Sequence, residues 1–123
     1  CPAAPHDRAA AREAAARALG AAERLGGRLH LLGDADYPSA LVDLPDPPPA
    51  VWALGRSDAL EGPRVAIVGT RAASGYGLRT TRALGDAAIA AGATIVSGMA
   101  AGIDGAAHQA ALAAGCPTVA VLG

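Results

Sequence analysis

The sequence predicts an α/β fold: a parallel β-sheet with helices on both faces, incomplete at this length, with extra N-terminal strands and an N-terminal helix ahead of it. Three observations carry this. From Arg64 onward, short aliphatic runs alternate with helix-length segments, giving β-loop-α-β-loop-α-β. The first two runs each end in a glycine and a polar loop, at Gly69 and at Gly98. The connections are too long for hairpins and fit the right-handed crossovers of parallel strands.

The chain divides into an N-terminal helical segment (1–28), a Pro-rich extension with short strands (29–63) and the first part of the sheet domain (64–123). Residues 7–26 are rich in Ala and Arg and stop at Gly26-Gly27, a helix terminator, with Glu13 and Arg17 spaced as a supportive i,i+4 pair. Leu29–Leu32 and Val51–Leu54 read as strands. Between them, Tyr37-Pro38 and Pro45, Pro47, Pro48 and Pro49 impose an extended, non-helical path, a rigid connector. Val65–Val68 is a strand. Gly77–Ala91 is a helix with Leu78, Leu84, Ala88 and Ile89 on one face, ended by Gly92. Thr94–Ser97 is the second strand, Asp104–Ala114 a helix capped by Asp104 and ended by Gly115, and Thr118–Leu122 the third strand.

Composition narrows the function. The 123 residues hold one Trp, two Tyr and no Phe, so the core is aliphatic. Ten Arg against eleven acids give a net charge of −1, which counts against a generic polyanion-binding domain. The distribution is uneven. Arg64, Arg71, Arg79 and Arg82 lie between Glu61 and Asp86 with no acid among them, which concentrates positive charge on the first glycine loop and the helix behind it. Cys1 and Cys116 make no disulfide framework, so a reduced, cytoplasmic compartment is expected. No apolar signal core and no run near ~18 apolar residues is present, so no membrane association is expected.

The stretch "VAIVGTRAASGYG", residues 65–77, has the order strand, glycine, polar loop, helix by which a backbone cradles phosphate. It is not a dinucleotide fingerprint: Gly75-Tyr76-Gly77-Leu78-Arg79-Thr80 lacks the third glycine, and Ser97-Gly98 stands where a ribose-binding acid belongs. A Walker loop fails because the chain has no Lys. What remains is anion binding without a cofactor: close backbone approach at Gly69, a hydroxyl and amide at Thr70, a guanidinium fork at Arg71, and a similar set at Ser97 and Gly98. Tight strand exits, with Arg71 in a surface ion pair, explain the same residues. Tyr76, the ring nearest the loop, either stacks on a base or packs beneath the loop. Asp104 and His108 share a helical face but lack the third ligand of a catalytic metal site, so a cap and a structural histidine are expected, with no metal. No nucleophile–base constellation can be assembled, and no catalysis is expected.

"VAIVGTRAASGYG", "TIVSGMAAGIDGAAHQAAL" and "TVAVLG", preceded by "DYPSALVDLPDPPPAVWALG", resemble the Rossmann-like domain of the DNA-processing protein A family (DprA, also called Smf), over roughly residues 29–123. The resemblance implies a cytoplasmic, non-enzymatic, single-stranded DNA-binding protein of natural transformation that protects incoming DNA and helps load the recombinase RecA on it. It implies a homodimer in the complete protein and no cofactor. The implied nucleic-acid site comprises Gly69, Thr70, Arg71, Ser74, Tyr76 and Gly77 of the first loop. From the second loop come Ser97, Gly98, Met99, Ala100, Gly102 and Asp104. The family's domain continues past its third strand with further basic contacts and dimer surface, so this chain alone is expected to bind DNA more weakly. The alternative is a Rossmann-like phosphoribohydrolase of the lysine-decarboxylase-like type, whose PGGxGTxxE loop has no counterpart here.

Overall fold

The computed structural model describes residues 5–123. Cys1 and the rest of residues 1–4 lie outside the described residues. The chain separates into two compact units, one ending at Ser57 and the other running from Asp58 to Gly123.

In the first unit, helix α1 spans Pro5–Arg24 and ends at Gly26, whose φ of +76° suits glycine, with the amide of Gly27 closing back on the Ala22 carbonyl at 2.7 Å. Glu13 and Arg17 form the expected pair at 3.1 Å, both side chains in water. Strand β1 (Arg28–Leu31) pairs antiparallel with β2 (Ala50–Ala53), Leu29 opposite Trp52 and His30 opposite Val51. The connector between them is pinned by Tyr37, which is buried and donates its hydroxyl hydrogen to the Pro48 carbonyl at 2.8 Å. It is not wholly extended as expected. One helical turn, α2 (Ser39–Val42), follows Pro38 directly. The ring of Pro38 sets φ at −57°, which suits the residue before a helix as well as it suits a strand.

The second unit is the predicted α/β sheet: β3 (Arg64–Ala66), α3 (Gly75–Ala90), β4 (Thr94–Ser97), α4 (Ile103–Ala113) and β5 (Thr118–Ala120), with the three strands parallel in the order β3-β4-β5. Val65 lies beside Ile95, and Val96 beside Val119. β3 and β5 are shorter than the aliphatic runs that predict them, although each continues for one ladder bond: Ile67 N–H to the Val96 carbonyl at 3.0 Å and Val121 N–H to the Ser97 carbonyl at 2.9 Å. The chain then turns away into loops. Both crossovers step the same way across the sheet, from β3 to β4 to β5, so α3 and α4 lie together, packed on each other and on β4, rather than on the two faces expected.

The core is aliphatic and small-residue rich. Ile95 of the central strand is wholly buried against Ala107 and Ala111 of α4, with Ile67, Ala88 and Ile89 around it. Leu84 does not join them, being 57% exposed. The buried positions of α3 are instead Thr81 and Gly85, because the helices approach too closely for a large side chain: a Cβ on Gly85 would lie 3.0 Å from that of Ala110. This closeness shapes the groove between the helices. No helix among the described residues is long and apolar enough to cross a membrane.

Candidate functional site

The two glycine loops leave the carboxyl ends of β3 and β4, where parallel sheets present ligand sites. Their glycines are explained by mutual contact. A Cβ on Gly69 would fall 2.7 Å from Cγ1 of Ile103. Gly102 has φ +84°, and a Cβ there would enter the backbone of Thr70 and Arg71, 2.6 Å from the Arg71 carbonyl oxygen. The Ile103 amide donates to the Thr70 carbonyl at 3.2 Å. The loops are therefore interlocked, and moving one moves the other.

A carboxylate joins them. Asp104 is buried at the start of α4; its Oδ1 accepts from the Gly69 amide at 3.2 Å and its Oδ2 from the Gly98 amide at 3.2 Å. Burial pushes its pKa up, but the amides of Gly69, Ala100 and Gly98 outweigh this and hold it below the ordinary aspartate value. Two expectations are corrected here. Asp104 does not cap its own helix, whose N-cap is Gly102 without a side-chain bond; it staples the neighbouring loops. The amides of Gly69, Gly98 and Ala100 do converge on an anion, as a phosphate cradle requires, but that anion is the Asp104 carboxylate.

The remaining predicted side chains sort by what they touch. Ser97 is buried and donates to the Ile67 carbonyl at 2.6 Å, tying β4 to β3. Ser74 caps α3, accepting from the Gly77 amide at 3.1 Å, and Thr70 accepts from the Ala72 amide at 3.2 Å, which shapes the first loop. Tyr76 is 73% exposed, so it does not pack beneath the loop. Met99 is 65% exposed and sits at φ +61°, unusual for a residue with a Cβ. His108 and Asp104 do not act together: His108 Nδ1 lies 2.8 Å from Thr118 Oγ1, whose own hydrogen goes to the Ile95 carbonyl at 2.9 Å, so Nδ1 carries the donated proton.

Arg71 is exposed, and among the described residues its guanidinium has no hydrogen-bond or ion-pair partner. It lines the mouth of a cleft of about 470 Å³ that runs between the first loop and the start of α4. Gly102 is the other predicted residue on this cleft. Arg82 of α3 and Gln109 of α4 complete its polar lining. Arg82 belongs to the acid-free arginine cluster of the sequence but not to the site expected from it, and Gln109 belongs to neither. The signal for Arg82 was helical spacing, since it stands one turn after Leu78, which also lines the cleft. Nothing in the sequence singles out Gln109.

The model of the family described as DNA recombination-mediator protein A matches residues 28–123. The chain is similar to Protein Smf of Synechocystis sp., 48% identical over an alignment of 94 residues that covers 73% of this chain and 24% of the relative. In structure it is similar to DNA processing protein A from Streptococcus pneumoniae (TM-score 0.71, 38% identity, 77% of this chain and 33% of that one). It is also similar to the DNA processing protein A of Helicobacter pylori (TM-score 0.58, 36% identity, 69% of this chain and 39% of that one), a structure described for its single-stranded DNA binding mode. The chain thus spans between 24% and 39% of the length of these relatives.

Proposed function

The chain belongs to the DNA recombination-mediator protein A family, and on that premise we propose that it grips the phosphate backbone of single-stranded DNA with Arg71, at the mouth of the cleft between the first glycine loop and α4. The observation that carries this reading is the exposed, unpartnered guanidinium of Arg71 on a loop that its neighbour holds rigid. A fixed fork-shaped donor at a concave surface suits a phosphodiester, and rigidity lowers the entropy lost on binding. The amide end of the 16-residue helix α3 adds a favourable dipole beside the loop. The glycine loops contribute by building the ledge for Arg71, since the amides of Gly69 and Gly98 are engaged by Asp104.

Binding of this kind reads backbone rather than sequence and weakens as salt rises. In the complete protein we assign it to the protection of incoming DNA in natural transformation and to helping load RecA, with a homodimer presenting two such clefts. Asp104 argues against the phosphoribohydrolase alternative. A nucleotide phosphate at the strand ends would meet a carboxylate already holding the amides it needs. The test is salt-titrated affinity of the full-length protein for oligo-dT. Arg71→Ala is expected to weaken binding about ten-fold and to flatten the log K against log salt slope by roughly 0.7, one phosphate's worth for a single strand. Unchanged affinity and slope remove Arg71 from the interface.

A further inference from the structure

We propose that the DNA strand continues from Arg71 down the seam between α3 and α4, where Arg82 is a second phosphate-binding guanidinium and Gln109 a neutral contact; this rests on the single-stranded DNA reading above. The cleft at Arg71 does not end at the loop. It meets a second cleft of about 440 Å³ further along the two helices, and Arg82 and Gln109 line both. Arg82 is exposed and, among the described residues, makes no ion pair or hydrogen bond, so its charge is available to a ligand.

The seam is built for close approach. Its α4 side near the loop is Gly102, Gly105 and Ala106, which add almost no side chain, and the helices are held together at Gly85 and Ala110. A sugar–phosphate chain can therefore lie low in the groove with a guanidinium beside it at each of two points. The order of charge along the path gives it an end. Asp86, one turn past Arg82, lines the second cleft, and its carboxylate repels a further phosphate. Arg71, Arg82 and Asp86 thus define a short track: two phosphates held, the third turned away. Arg79, exposed on the same helix, does not line either cleft and supplies a control of equal charge.

The experiment is salt-titrated binding of oligo-dT to the full-length protein carrying Arg82→Ala, Arg79→Ala or Arg71→Ala. Arg82→Ala is expected to lower affinity several-fold and to reduce the salt slope by roughly 0.7, as Arg71→Ala does, while Arg79→Ala leaves the slope unchanged. Arg82→Lys is expected to restore the slope, because it keeps the point charge, and only part of the affinity, because it loses the fork. Gln109→Ala is expected to lower affinity with no change in slope. If Arg82→Ala behaves like Arg79→Ala while Arg71→Ala weakens binding, the seam track is wrong and the DNA reading stands. If Arg71→Ala also has no effect, both fall.

Discussion

Asp104 reaches Gly69 across 35 residues of sequence, one carboxylate oxygen accepting the glycine amide at 3.2 Å while the other accepts that of Gly98 at 3.2 Å. Strand-end amides pointing at one spot are the arrangement by which α/β proteins hold a ligand's phosphate. Here the protein supplies the anion itself. The consequence is a division of labour: the glycine loops are spent on rigidity, and contact with a ligand passes outward to Arg71 and the cleft beside it.

The first prediction follows from that clamp. Asp104→Asn keeps one acceptor oxygen but turns an N–H donor toward a backbone N–H donor, so one loop is released. The variant is expected to fold with a lower Tm, and the amides of Gly69 and Gly98 are expected to exchange hydrogen faster than in the parent. Asp104→Ala, which releases both loops, is expected to be worse on both measures. Equal exchange rates in parent and variants would mean that the carboxylate does not hold the loops.

The same residue sets an acid dependence. Its pKa is lowered in the folded chain, burial notwithstanding, by the amides of Gly69, Ala100 and Gly98. A depressed carboxylate pKa means the unfolded chain binds the proton more readily, so stability rises with pH across the interval between the two values. The contribution is complete above the ordinary aspartate value of about 4 and is lost as pH falls from there toward the folded value. Denaturant melts from pH 6 down to pH 3 are expected to show the midpoint falling below about pH 4, with a shallower fall in Asp104→Asn.

Gly102 and Gly92 separate two reasons for a glycine. Both have positive φ, +84° and +77°, but a Cβ on Gly102 enters the Thr70–Arg71 backbone whereas one on Gly92 meets nothing within 4 Å. Gly92→Ala is expected to cost only the left-handed strain, about 1–2 kcal/mol, and to leave DNA binding alone. Gly102→Ala adds a clash that no side-chain rotation relieves. It is expected to cost about 2–4 kcal/mol and to weaken DNA binding by displacing Arg71. Similar behaviour of the two variants in chemical melts would mean the loops are not interlocked.

How far the sequence could be read depends on what each residue's role rests on. The strands and helices of the second unit were legible because aliphatic runs, glycine stops and helix-length spacings are local signals, and Ser97 was recognisable as a strand-end polar residue and Asp104 as a helix-start acid. Their partners were not. That Asp104 faces Gly69 and Gly98 instead of its own helix depends on how the two loops pack, which no local pattern encodes. Leu84 misled for the same reason. Its hydrophobicity suggests the buried face, but the helix approach fixed by Gly85 and Ala110 puts small residues inside and leaves Leu84 57% exposed. Gln109 gave no signal because its part in the cleft arises from the seam alone.

Tyr76 supplies the last prediction. The chain has two tyrosines, and Tyr37 is buried with its hydroxyl bound to the Pro48 carbonyl, whereas Tyr76 stands 73% exposed in the first turn of α3, two residues past the Ser74 cap. Keeping an aromatic ring in water at that position gains nothing for the fold, while a base laid on it gains stacking worth about 1–3 kcal/mol. Tyr76→Ala is expected to weaken oligo-dT binding by that amount with an unchanged salt slope, since no charge is removed, and Tyr76→Phe is expected to bind like the parent because the ring is what stacks. The Phe variant separates the explanations. If it binds as poorly as Tyr76→Ala, the hydroxyl rather than the ring makes the contact, and a hydrogen bond replaces stacking in the account of this loop.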